Sequence, residues 1–185
     1  MGIDTVELAP DFRIPRILKG AWQIAQGHGS VPLQDPIEDM FRFADAGIFA
    51  FDCGDVYAGV EDLIGQFIEA RRQRLGDASD IKVLTKFIPD FDALPTVDKS
   101  YVQRVVDQSL RRLRLERLDV LQFFWWSYDV PGYIEAIHWV DELRQAGKIH
   151  KIGIVNIDTK RSLEILESGI NCSLNLVSPT GRELE

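Results

Sequence analysis

Asp52, Tyr57 and Lys86 are the residues whose types and spacing invite chemistry. They stand in F-D-C-G-D-V-Y and V-L-T-K-F, at or just after the carboxyl ends of two apolar runs. A tyrosine side chain titrates near pH 10, roughly, and is a poor acid at neutrality, but an ammonium beside a phenol stabilises the phenolate. Lys86 in that place would make Tyr57 a usable proton donor. Asp52, paired to Lys86, would hold the ammonium in position and keep it charged in a partly desolvated pocket. The trio suits protonation of a carbonyl oxygen while hydride arrives from a cofactor. Spacing alone leaves a structural reading open: an Asp and a Lys on neighbouring strands also form plain ion pairs, and a Tyr after a strand can simply pack.

The trio can meet only if the runs that carry it lie side by side. Strand patterns fall at Ile17–Trp22, Ile48–Cys53, Ile81–Phe87, Leu118–Phe124, Ile149–Val155 and Cys172–Val177. Helical periodicity falls between them, at Pro36–Ala46, Val60–Arg74, Val97–Leu115, Gly132–Ala146 and Thr159–Glu167. This alternation predicts βα units around a parallel sheet, in which function gathers at the carboxyl ends of the strands. Six such strands fit an open sheet or part of a closed barrel. Asp158 is placed to cap the fifth helix, and Gly47, Gly147 and Gly169 stand where helices one, four and five need a left-handed stop. The leader Thr5–Leu18, turning at Ala9-Pro10-Asp11, reads as a hairpin that plugs the bottom. Nothing divides the chain, so residues 1–185 are taken as one domain.

Composition bounds the rest. The chain has 185 residues, 45% hydrophobic and 27% charged, a globular balance, yet shorter than the roughly 250 residues of a full eight-stranded α/β barrel. Its net charge of −8 argues against nucleic acid or an anionic membrane as partner. No apolar run reaches a membrane span and the first residues lack a secretory pattern, so the expected address is the cytoplasm. Cys53 and Cys172 read as structural thiols. Weaker signals are discounted. G-H-G-S at Gly27–Ser30 reads as a loop, Asp90 and Asp92 as solvated acids with no metal, the runs Arg71–Arg74 and Arg111–Arg114 as solvated helix faces, and Ser178–Glu185 as a solvent-exposed tail.

At this point the sequence resembles an aldo-keto reductase. G-I-F-A-F-D-C-G-D-V-Y-A-G-V-E-D-L-I-G at Gly47–Gly65 is similar to that family's signature, with Tyr five residues after Asp and E-x-x-I-G at Glu61–Gly65. G-A-W-Q at Gly20–Gln23, V-L-T-K-F at Val83–Phe87, S-L-R-R-L at Ser109–Leu113, L-D-V-L-Q at Leu118–Gln122 and G-K-I-H-K-I-G-I-V-N at Gly147–Asn156 follow in the family's order. The resemblance implies a TIM-type (β/α) barrel and NADPH-dependent reduction of a small-molecule aldehyde or ketone to an alcohol. It makes Tyr57 the general acid, Lys86 its modulator and Asp52 the partner of Lys86. It places Asn156 on the nicotinamide carboxamide, with Gly20, Ala21, Trp22 and Asp52 beside the cofactor.

The sequence departs from the pattern in three places. The family's strand-four histidine is Phe124, which has no hydrogen to donate, and His28, His138 and His150 occupy no matching position. Val155 replaces a hydroxyl residue. Beyond Ile170 no Q-x-x-Y and no basic phosphate loop can be read, so the chain looks truncated. The expectation is an incomplete barrel of about six parallel strands and five helices with an N-terminal hairpin. Its apolar open edges invite self-association. The alternative to an oxidoreductase is a catalytically inactive remnant acting as a binding module or with no independent role.

Overall fold

A computed structural model describes residues 3–24 and 35–177; Gly27–Ser30, His28 and Ser178–Glu185 lie outside the described residues. The hairpin forms, pairing β1 (Thr5–Ala9) antiparallel with β2 (Phe12–Pro15) about Pro10 and Asp11. The main sheet runs in chain order, β3 (Lys19–Gly20), β4 (Ala50–Asp52), β5 (Lys82–Phe87), β6 (Leu118–Phe123), β7 (Ile149–Val155) and β8 (Cys172–Leu176). Every neighbouring pair is parallel. Helices α1 (Pro36–Asp45), α2 (Val60–Leu75), α3 (Lys99–Leu113), α4 (Tyr133–Gln145) and α5 (Thr159–Glu167) fill the crossovers. This is the expected incomplete TIM-type barrel, with no ladder joining β3 to β8 among the described residues. No helix among them is long and apolar enough to cross a membrane.

Alternation along the strands builds two cores. Phe51, Val83, Phe87, Leu121, Phe123 and Ile154 turn outward onto Ile64, Phe67, Val102, Val106 and Ile137 of the helices. Ala50, Leu84 and Val120 turn inward onto Phe12 and Ile14 of the hairpin, which therefore plugs the lower end as the sequence suggested. Two residues further along the same strands, the inward positions hold Asp52, Lys86 and Gln122. A period of two carries each inward face from apolar to polar in one step.

The element limits show which local signals decided them. Asp158 caps α5, its side chain accepting from Arg161 N at 2.9 Å, and Gly47, Gly147 and Gly169 all take positive φ. The first strand is shorter than Ile17–Trp22. Arg16 N donates to Asp4 O of the hairpin, and after Ala21 N reaches Asp52 O the chain turns into a 3-10 turn at Trp22–Ile24. Helix α3 starts two residues later than Val97 because Asp98 caps it through Tyr101 N, and a 3-10 helix, Phe91–Thr96, precedes it. It ends where Arg114 takes φ 57°. Phe124 falls just beyond β6, Cys53 just beyond β4 and Val177 just beyond β8. The run Arg71–Arg74 is not wholly a solvated face: Arg71 is buried, and its guanidinium grips Asp80 at 2.6 and 3.2 Å.

Candidate active site

The register β4–β5–β6 brings the predicted trio to one mouth. Asp52 lies beside Leu84, and Lys86 beside Gln122. Lys86 is buried; its Nζ donates to Asp52 Oδ2 at 2.8 Å and to Cys53 O at 2.6 Å. The same ammonium sits 4.9 Å from the centre of the Tyr57 ring. Tyr57 reaches this place because the loop folds back on itself, with Tyr57 N donating to Gly54 O at 3.0 Å. Gly54 leaves room for the fold-back, since a Cβ there would crowd the Tyr57 ring at 3.3 Å.

Above the trio opens a cleft of about 430 Å³ that Trp22, Tyr57, Lys86, Phe124, Trp126 and Asn156 help to line. Trp22, Tyr57, Phe124 and Trp126 give it four flat rings, and Val56, Ala58, Ile88 and Val155 supply aliphatic wall. Phe124 stands edge-on to Trp126 at 4.8 Å, and Trp126 is pinned by its indole N–H to Pro89 O at 2.7 Å. Asn156 follows β7 in the left-handed region at φ 51°, a conformation asparagine tolerates better than most residues, and its N–H donates to Leu176 O. Of the other expected cofactor contacts, Trp22 lines the cleft. Ala21 instead packs with the outer core, and Gly20 pairs beside Asp52 through its backbone. His138 is exposed on α4, and His150 packs edge-on to Phe12 at the opposite end of the strands. Neither can replace the donor lost at Phe124.

A second polar layer lies behind the mouth, on the helix side. Glu61, almost fully buried in α2, accepts from Thr85 Oγ1 at 2.7 Å and from Arg112 Nη1 at 3.3 Å. Arg112 also donates to Asp55 O at 3.1 Å, so it is no solvated cation as the basic run suggested. The Asp55 carboxylate accepts from Ile88 N at 3.2 Å; burial, and secondarily the charge of Glu61, push its carboxyl up to about 8. Burial likewise drives the Cys53 thiol far above its ordinary range and the Cys172 thiol up to about 11, as suits structural cysteines. Gly65 lets α2 touch α3, because a Cβ there would fall 2.1 Å from Arg112 O. This layer fixes the loop that carries Tyr57. Asp55, Thr85, Arg112 and Gln122, like Glu61 and Gly65, all stand in the segments that resemble the family, yet spacing alone gives none of them a partner.

No group of three or more metal-binding side chains occurs among the described residues. The donor set instead fits the nicotinamide end of a dinucleotide: an amide-bearing Asn156 and flat rings of Trp22 and Tyr57 around a buried ammonium. Lys86 is the one charged side chain lining this cleft among the described residues.

The model of the aldo/keto reductase family matches residues 16–179. Among curated relatives, the chain is 26% identical to the NADH-specific methylglyoxal reductase of Escherichia coli over 176 residues, 86% of this chain and 53% of that one. It is 25% identical to norsolorinic acid reductase B of Aspergillus parasiticus over 162 residues, 79% of this chain and 41% of that one. The chain thus spans about half the length of the curated relatives it matches. Among solved structures, a Bombyx mori aldo-keto reductase in complex with NADP superposes with a TM-score of 0.79 at 19% identity, covering 96% of this chain and 59% of that one. The aldose reductase of Schistosoma japonicum gives 0.76 at 19%, covering 95% and 61%.

Proposed function

The chain belongs to the aldo/keto reductase family, and from that premise we propose that it reduces an aldehyde or ketone to an alcohol at the expense of NADPH. The observation that carries the reading is the Lys86 ammonium, held by Asp52 and Cys53 O against the face of Tyr57 at the floor of an aromatic cleft. A dinucleotide held in this cleft would supply hydride for the carbonyl carbon. Tyr57 gives its phenolic proton to the carbonyl oxygen, which completes the alcohol. Lys86 stabilises the negative charge this leaves on the phenol, and Asp52 holds Lys86 in place. Trp22 and Asn156, which line the cleft, would hold the nicotinamide ring. Phe124 offers apolar surface to the substrate and no hydrogen, so the carbonyl oxygen leans on Tyr57 and turnover is slow.

The relatives' names leave the choice of dinucleotide to experiment, since one curated relative is NADH-specific and one structural relative holds NADP. The test is oxidation of NADPH and of NADH by the full chain with a reactive aldehyde or diketone, beside Tyr57→Phe. Carbonyl-dependent oxidation lost in Tyr57→Phe supports the reading. Rates equal in the two proteins, or no saturable quenching of tryptophan fluorescence by either dinucleotide, overturn it. The proposal includes self-association through β8 and α5, where Leu163, Leu166, Leu176 and Val177 are exposed.

A further inference from the structure

Gln122 lies in the inward layer of Asp52 and Lys86, two residues before Phe124. It is fully buried. Its Nε2 donates to Asp52 Oδ1 at 2.7 Å while Lys86 donates to Oδ2 at 2.8 Å, so separate donors occupy the two oxygens of one carboxylate. The orientation of the amide follows from chemistry. An ionised carboxylate only accepts, so the NH2 end must face Asp52 and Oε1 must turn away. There Oε1 has no partner among the described residues, and the side chain passes over Gly153, where an added Cβ would meet Gln122 Cγ at 3.4 Å and Leu174 at 3.0 Å. A buried acceptor without a donor is costly. An aliphatic residue, such as Leu84 or Val120 one layer below, would fill this space without that cost. What glutamine adds is the N–H to Asp52.

We propose that Gln122 is a positioning residue of the proton donor: by binding Asp52 Oδ1 it fixes the carboxylate and draws off part of its charge, so that the Lys86 ammonium acts on Tyr57 instead of being fully cancelled by Asp52. The inference rests on the reading of Tyr57 as donor. Without the amide, the charge of Asp52 concentrates on Lys86, the phenol feels less positive charge, and the phenolate is less stabilised. Titration of Tyr57 then moves to higher pH, and with it the pH profile of turnover.

The test uses the full chain with Gln122→Met, which keeps length and volume, and Gln122→Glu, which keeps shape but sets a second acid against Asp52. Tyrosinate absorbance is followed against pH, and subtraction of the Tyr57→Phe titration isolates Tyr57. Its midpoint should move upward in both variants, further in Gln122→Glu, and kcat for carbonyl reduction should fall about tenfold with the KM for dinucleotide unchanged. An unmoved midpoint overturns the inference, even where kcat falls, because that pattern is loss of packing. If one variant does not fold, the other carries the test. A chain that turns over no carbonyl overturns the reductase reading separately, and the absorbance titration, which needs no turnover, still decides the role of Gln122.

Discussion

The middle of the sheet and its margins are built on opposite terms. At the mouth of β4, β5 and β6, buried polar groups answer one another within a few ångströms: Asp52 takes donors from Lys86 and Gln122, and Glu61 takes them from Thr85 and Arg112. At the margin of β8 and α5, Leu166 and Val177 are 48% and 62% exposed and line a cleft of about 600 Å³, and Leu163 of α5 is 52% exposed. The other margin, between β3 and α1, holds an apolar cleft of about 420 Å³. A buried ion needs its partner at hydrogen-bond distance, which a neighbouring strand can supply. An apolar face needs area, which these margins lack. The buried ion pairs of the mouth are therefore made by three adjacent strands and the helices behind them, whereas large apolar side chains at the margin of β8 and α5 stay exposed.

The largest effect should come from breaking the mouth. Tyr57→Phe should lower carbonyl reduction by about 10²- to 10⁴-fold with little change in melting temperature; a loss below tenfold would remove Tyr57 as proton donor. Gly65→Ala should destabilise the fold by about 3 kcal/mol in denaturant titration, because its Cβ would collide with the Arg112 carbonyl, backbone that has no room to yield. An effect below about 0.5 kcal/mol would show that α2 and α3 can separate freely. Phe124→His should raise kcat/KM about tenfold by restoring a donor beside the carbonyl oxygen. No gain would mean that this wall does not face the reacting carbon.

Asp55 separates the two regions by pH. Its carboxyl, raised from 3.8 to about 8, keeps a proton in the folded chain that the unfolded chain has released. The folded chain thus holds this proton between those values, so the contribution of Asp55 to stability is fully present below the ordinary carboxylate range and is lost as pH rises through about 8. Asp55→Asn should abolish this decline. It should be more stable than the parent by on the order of 1 kcal/mol at about pH 9, with the gain vanishing near pH 4. Equal melting-temperature profiles for the two proteins would show that Asp55 ionises in the fold without penalty.

Sequence made the middle legible unevenly. Asp52, Tyr57 and Lys86 could be found because each ends or follows an apolar run, and the topology of a parallel sheet sends such positions to one mouth. Gln122 stood in the quoted L-D-V-L-Q, but a polar letter inside a strand looks the same whether it faces water or a buried carboxylate. Only the register Lys86 with Gln122 tells them apart. Arg71 and Arg112 look like solvated cations in the sequence for the same reason, since Asp80 and Glu61 approach them from other elements. Local signals did better where the partner is local, as with the Asp158 cap. Where tertiary bonds decided the limit, as at the short β3, they failed.

The smallest effect on folding should come from the margin, and it is the one that tests whether exposure there matters. Leu166 lies in the last turn of α5, a turn with no basic residue, and lines the outer cleft with Val177. Leu166→Lys sets a cation at the negative end of the helix and exchanges a half-exposed apolar side chain for one that keeps its stem on the surface. The stability of the single chain should stay within about 0.5 kcal/mol. If α5 and β8 hold copies together, the buried lysine must lose water at the contact, and sedimentation should show more monomer at a given concentration. A parent chain that is monomeric throughout would remove self-association and leave the exposed leucines as ordinary surface. A variant that unfolds would show that Leu166 belongs to the core, and the contrast between margin and middle would fail on the margin's side.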